Sequence, residues 1–278
     1  MKIVVSACLA AGPVYFPPRM PQPDPFLEPA ERDPKKLRNT ALVLVAIMVL
    51  GGWFVLQAYE KWSLGKAADD RPAVIYRITK ERDLRMLRQD GEMVNLADLR
   101  GKVIAVNVFS LRDPQAAERS MAVMKRLAEN RAADPNFTLV SLLIDPISSD
   151  KLITTLSETA TAQGIKLPQW WLGSNEPKTL HKFIKNELKA TTYPNETSGK
   201  WDYDAAIVLI DKDGHIRRAV VPQKQGGPPF IATFDFDQAA AWDAKGVKTG
   251  TDLTNAGQLE ALLNATIDKL LAEPAKSS

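Results

Sequence analysis

The sequence predicts an α/β domain with a parallel core, carried behind a single membrane-spanning helix. Three observations predict it. Between Arg38 and Glu60 no residue is charged. Short β-branched runs, VIAVNVFS and FTLVSLLID, alternate with stretches of helical periodicity, which implies crossovers between parallel strands. A late pair of apolar runs flanks Lys212-Asp213-Gly214 and precedes an amphipathic stretch, which adds an antiparallel hairpin and a closing helix.

The uncharged segment, residues 39–59, reads NTALVLVAIMVLGGWFVLQAY. About 20 helical residues span about 30 Å, the thickness of a bilayer's hydrocarbon core. Trp53, Tyr59 and Trp62 lie towards its C-terminal end, where aromatic rings favour the membrane interface. Gly51 and Gly52 mark a place for close packing against a second helix, although the pair is not a GxxxG motif. Arg32, Lys35, Lys36 and Arg38 precede the segment, and Lys61, Lys66 and Arg71 follow it. The more basic N-terminal side is expected in the cytoplasm, which places the C-terminal domain in a periplasm or an equivalent compartment. Residues 1–38 read as a flexible cytoplasmic tail. Val5-Ser6-Ala7-Cys8 has the look of a lipobox, but too few apolar residues precede Cys8 to form a signal-peptide core, and Met20 is a second candidate start.

Composition removes several classes of function. The net charge is +3, and no basic stripe with interleaved aromatics points to nucleic acid. Cys8 is the one cysteine, so the region after the helix has no thiol for a disulfide, a dithiol exchange or a cysteine metal site. There is no GxSxG, phosphate-binding glycine loop or HExxH.

The remaining elements follow in order. Residues 60–74 are polar and small, as in a linker, and residues 75–278 are expected as one domain. Asp90-Gly91 between short alternating runs signals a hairpin over residues 85–94. Residues 103–110 form a buried strand, and residues 114–129 a helix whose Met121, Met124 and Leu127 pack the core rather than bind a soft metal. A second buried strand covers residues 137–145. Ser149 or Asp150 caps the next helix, with Leu152, Ile153 and Leu156 on one face and Gly164 near its end. Trp170, Trp171 and Leu172 make a short strand. Pro177 opens a helix that turns Leu180, Phe183, Ile184 and Leu188 inward. The hairpin over residues 205–221 and a helix over residues 258–271 close the domain. This order is the pattern of a thioredoxin-like domain.

Four stretches together resemble the Sco/SenC family of membrane-anchored thioredoxin-fold proteins: LRQDGEMVNLADLRGKVIAVNVFS, LVSLLIDPISSD, WWLGSNE and AIVLIDKDGHI. The family resemblance implies a loop of the form F-T-x-C-P-x-x-C-P after the first core strand. Two cysteines there, with a histidine before the late hairpin, hold copper for delivery to cytochrome oxidase, or reduce thiols there. In register, this chain has Arg112 and Ala116 at the cysteine positions and Tyr203 at the histidine position. An arginine has no free lone pair and an alanine no ligand atom, so that site is not expected to form, and no cofactor or metal is assigned.

His181 and His215 are expected as solvated surface residues. Asp235 and Asp237 are likewise expected as solvated carboxylates without Ca²⁺-loop spacing. Residues 222–257 read as a long inserted loop carrying Phe230, Ile231, Phe234, Phe236 and Trp242. Phe230, Phe234, Phe236 and Trp242, with Gly51 and Gly52 on the membrane helix, are the candidate partner contacts. The chain is therefore expected to be a non-catalytic assembly factor or accessory subunit of a respiratory oxidase-type complex. A copper or redox protein with a relocated site, and an extracytoplasmic scaffold unrelated to respiration, are the alternatives.

Overall fold

The computed structural model describes residues 33–67, 71–222, 229–247 and 252–274, and side chains up to residue 59 in the first of these. The tail, with Cys8 and Met20, lies outside the described residues. The chain divides into two units, residues 1–59 and 60–278.

In the first unit lies the greater part of helix α1 (Pro34–Ala67). Its segment Pro34–Tyr59 is long and apolar enough to cross a membrane, and none of it is buried. Asp33 starts the helix by accepting the Lys35 amide at 2.9 Å. A Cβ built on Gly51 or Gly52 meets nothing within 4 Å. The helix runs on to Ala67 and the next strand starts at Ala73, so the expected linker is in part helix and in part strand. No proline stands between Glu60 and Ala67, and the helix runs through Gly65.

The second unit continues with β1 (Ala73–Arg77), β2 (Arg85–Arg88), β3 (Met93–Asn95), β4 (Val103–Phe109), α2 (Glu118–Asn130), β5 (Phe137–Leu143), α3 (Ser149–Gln163), β6 (Trp170–Ser174) and α4 (Pro177–Asn186). Then come β7 (Asn195–Thr197), β8 (Lys200–Asp202), β9 (Val208–Ile210), β10 (His215–Val221), β11 (Phe230–Ala232), α5 (Phe236–Ala244) and α6 (Asn255–Ala272).

One sheet runs in the order β1-β10-β9-β4-β5-β6-β2-β3, with β11 also on β10, and β7 and β8 pair separately. β4 and β5 are parallel, with Asn107 opposite Ser141, and β5 and β6 are parallel in turn. β9 lies antiparallel to β4, and β10 antiparallel to β9. The set β10-β9-β4-β5, with a helix joining its parallel pair and a helix after its antiparallel pair, is the thioredoxin-like arrangement.

Both faces of the central strands are buried, which is why β4 and β5 read as unbroken apolar runs. One face carries Val103, Ala105, Phe137 and Leu139 against Met124 and Leu127 of α2, Leu156 of α3 and Leu263, Ile267 and Leu270 of α6. The other carries Ile104, Val106, Val140 and Leu142 against Leu180, Phe183 and Ile184 of α4, with Met86 and Val94 of the first hairpin. Burying each such Leu, Ile or Phe side chain contributes about 1.5–3 kcal/mol.

Local signals place most boundaries. Pro114 starts a 3-10 turn (Pro114–Ala117) before α2, and Pro177 sits in the first turn of α4, where the Glu176 carboxylate accepts the Lys178 and Thr179 amides. Gly164 ends α3 in the left-handed region, where a side chain is disfavoured. The N-cap of α3 is Ser148, one residue before the expected candidates. Leu156 is buried but Ile153 is half-exposed, so the buried stripe of α3 is narrower than its sequence implies. The expected loop at residues 222–257 contains a strand and a helix, β11 and α5.

Candidate functional site

In a sheet with parallel strands, loops at the strands' C-terminal ends are the usual place for function. Here that place is the loop leaving β4, held to the end of β5. Asp145, 4% exposed, accepts the Ser110 hydroxyl at 2.7 Å and the Leu111 amide at 2.6 Å. The Ser110 oxygen accepts the Arg112 amide at 3.1 Å and the Asp113 amide at 3.4 Å. The buried carboxylate thus folds residues 110–113 into a fixed turn. Ser110 is fully buried and its proton is committed to Asp145 with no histidine beside it, so it is not placed as a nucleophile.

The structure brings Arg112 and Tyr203 to this carboxylate. Arg112 Nε lies 3.9 Å from Asp145, and its Nη1 makes an ion pair with Glu196 of β7 at 3.1 Å. Tyr203 packs against both hydrophobic clusters, with its hydroxyl beside the Ser110 main-chain amide, which opposes in part the effect of burial. Burial pushes the Tyr203 phenol well above its ordinary value, and the charges of Asp113, Asp145 and Asp237 add to the rise. With no cation beside it among the described residues, the phenol stays protonated at neutral pH. Ala116 sits in the 3-10 turn before α2. Arg112 thus cross-links the β4 loop to the β7–β8 hairpin; Tyr203, two residues after Trp201 of that hairpin, fills the space beside them.

Both histidines differ from expectation. His181 is buried, with Nε2 3.0 Å from the Ile144 carbonyl and its ring edge-on to Trp201 and Tyr193. A polar residue on the inner face of α4 is hidden from a periodicity argument, because the ring reaches a main-chain carbonyl at the end of β5. His215 is part-buried, with Nδ1 3.2 Å from Asp211 Oδ1. Asp211, Asp213 and His215 offer ligand atoms within 4.8 Å of one another. Asp211 Oδ1 already accepts the Asp213 and His215 amides, and Oδ2 accepts Arg217 Nη1 at 3.0 Å. The guanidinium of Arg100 packs on Gly214 in the same turn. Two built-in cations make this a poor place for a metal ion.

The aromatic candidates separate. Phe234 and Phe236 are core residues, 1% and 3% exposed, and are not contact residues. Asp235 and Asp237 have structural roles: Asp235 caps α5, and Asp237 pairs with Arg119 at 2.7 Å. Phe230, Ile231 and Trp242 are left on the surface. The parity of FIATFDF does not separate these residues, because the segment changes from strand to helix within it.

The fold and the site define a thioredoxin-like domain behind a helix of membrane-spanning length. No family model matches the chain, and no curated protein matches it in sequence. Among solved structures it is similar to a SCO1/SenC family lipoprotein from Bacillus anthracis str. Ames, at 18% identity over 56% of this chain and 89% of that one, with a TM-score of 0.41. It is also similar to Arabidopsis thaliana ScoI with copper bound (12%, 69% and 98%, TM-score 0.42) and to Bradyrhizobium japonicum ScoI with copper bound (16%, 66% and 97%, TM-score 0.38). These likenesses concern the fold.

Proposed function

We propose that this chain is a membrane-anchored, Sco/SenC-like protein that acts by contact rather than by chemistry, as an assembly factor or accessory subunit of a respiratory oxidase-type complex. The observation that carries the first half is the donor set of the β4 loop. Arg112 and Ala116 supply no ligand, burial disfavours the ionised Tyr203 phenol, and the guanidinium of Arg112 lies 3.9 Å from Asp145 and pairs with Glu196 at 3.1 Å. A copper ion does not fit these groups. The respiratory link rests on the four sequence stretches that resemble the family. The basic flank Lys35, Lys36 and Arg38 supports a cytoplasmic N-terminus and a domain on the far side of the inner membrane. Labelling of Cys8 by an impermeant maleimide in inverted vesicles but not in intact cells is the expected sign of that orientation, and the reverse pattern refutes it.

A second reading, a relocated metal site, is favoured only by the grouping of Asp211, Asp213 and His215. Affinity purification from gently solubilised membranes, with copper titration of the purified chain, separates the readings. Oxidase subunits are expected to co-purify, with no stoichiometric copper bound at sub-micromolar affinity. A chain that emerges alone defeats the accessory role, co-purification with a non-respiratory complex points to a general scaffold, and tight copper binding defeats the contact-only reading.

A further inference from the structure

The β7–β8 hairpin stands apart from the sheet of the domain that carries it. Its two strands pair with each other and not with the main sheet. Ser198 and Gly199, at φ 55° and 79°, make its turn, with the two successive positive values that suit a two-residue hairpin loop. Among the described residues, no main-chain hydrogen bond joins residues 192–202 to the rest of the chain. Glu196 and Trp201 lie opposite each other on the two strands, so their side chains share one face of the ribbon. Asn195, Thr197, Lys200 and Asp202 alternate with them and are exposed. The hairpin therefore holds the domain by two side chains.

Neither hold is strong. Glu196 pairs with Arg112 Nη1 at 3.1 Å, but the two side chains are 36% and 49% exposed, where water and salt screen the attraction. Arg112 also has Asp145 at 3.9 Å, so its charge is not stranded when Glu196 leaves. Trp201 is buried in the cluster under α4, with its ring edge-on to His181 at 5.5 Å. Its indole N–H is buried without a hydrogen-bond partner, a cost that water removes when the ring comes out.

The base of the excursion is different. Asp204 Oδ2 accepts the Thr191 amide at 2.7 Å and the Thr191 hydroxyl at 2.8 Å, and Oδ1 accepts the Ala206 amide at 3.0 Å. Lys185 Nζ of α4 donates to the Ala190 and Thr191 carbonyls at 3.2 and 2.8 Å. These bonds staple the two ends together and to α4, and they do not pass through the hairpin.

We propose that residues 192–202 form a strap that opens as one body about the Thr191–Asp204 staple, with the Arg112–Glu196 pair as its latch. Opening withdraws Trp201 from the face of His181 and leaves the Arg112 guanidinium uncovered beside the β4 loop. The main sheet keeps its own hydrogen bonds throughout. The strap goes beyond the contact-based function above and does not depend on it.

The test incorporates fluorotryptophan into the full-length chain in micelles and reads each ring by fluorine NMR relaxation dispersion, which detects opening on the microsecond-to-millisecond scale. Trp201→Phe assigns the Trp201 signal. We expect two-state exchange at Trp201, with none in step with it at Trp170 or Trp171 of β6. Glu196→Gln, a change at an exposed strand position, should raise the open population about threefold, as for loss of one exposed ion pair, and added salt should act in the same direction. In hydrogen exchange, the amides of residues 195–202 should exchange faster in that variant while those of Thr191 and Ala206 keep their protection. No exchange at Trp201 in either chain, exchange shared with Trp170, or an open population unmoved by Glu196→Gln overturns the proposal. Loss of protection at Thr191 in step with the hairpin also overturns it, because the staple would then not be the hinge.

Discussion

Replacing Asp145 with alanine tests whether the β4 loop is built from its buried carboxylate. Asp145 accepts two short hydrogen bonds, from the Ser110 hydroxyl and the Leu111 amide, with Arg112 Nε 3.9 Å away. Hydrogen bonds to a charged group contribute about 1.5–3 kcal/mol each, and a donor left unpaired in a buried place adds to the loss. Against this, removing a buried carboxylate relieves its desolvation. The balance is a loss of about 3 kcal/mol. With a urea m-value of about 2–3 kcal/mol/M, the midpoint of unfolding of the soluble domain should fall by about 1–1.5 M at unchanged m. Circular dichroism reads the midpoint, and hydrogen exchange should show faster exchange at the Leu111, Arg112 and Asp113 amides. A shift below about 0.3 M, or unchanged exchange at those three amides, refutes the assignment of Asp145 as the centre of the turn.

Two further outcomes are expected. Phe234→Ala should cost about 3–5 kcal/mol in the same denaturation assay, whereas Phe230→Ala should stay within about 0.5 kcal/mol, because only the first is buried; equal losses would contradict the packing described. The Glu273 carboxyl is raised by burial, but its hydrogen bond to Arg71 and the nearby charge of Arg217 outweigh this and hold it below its ordinary value. A depressed carboxylate contributes stability above the unfolded value, and loses it as pH falls through the folded one. Glu273→Gln should therefore flatten the stability curve between about pH 5 and 3, and an unchanged acid limb would show that the pairs with Arg71 and Arg217 do not form in solution.

The central architecture was legible because its strands are buried on both faces. β4 and β5 appear as apolar runs, and Asp90-Gly91 and Asp213-Gly214 mark their hairpins. Proline at residues 114 and 177 and glycine at residue 164 fixed the helix ends to within a few residues. What stayed hidden had weak local signals. β1 alternates between part-buried and exposed residues at the sheet edge, and its pairing with β10 is more than 130 residues distant in sequence. The β7–β8 hairpin buries one residue, Trp201, so no pattern betrays it. In the insert, the Gly226-Gly227-Pro228-Pro229 run reads as loop, and β11 and α5 are too short to outvote it. The site was half legible. The register located Arg112, Ala116 and Tyr203, but Asp145 and Glu196 became visible only when long-range pairing brought their partners to them.

Three residues in the middle of the sheet have a consequence of a different kind. Trp170 Nε1 donates to Ser141 Oγ at 2.9 Å, and Ser141 donates to Asn107 Oδ1 at 2.6 Å, in a chain across β6, β5 and β4. With apolar residues on both faces, sliding β5 by two positions along β4 would keep each hydrophobic side chain on its own side, so greasiness alone is blind to the error. The polar rung is not blind. A slipped β5 would carry the hydroxyl away from both partners, leaving an amide, a hydroxyl and an indole stranded in a dry interior. The strands are aligned less by what they repel from water than by two hydrogen bonds in series that run through three of them.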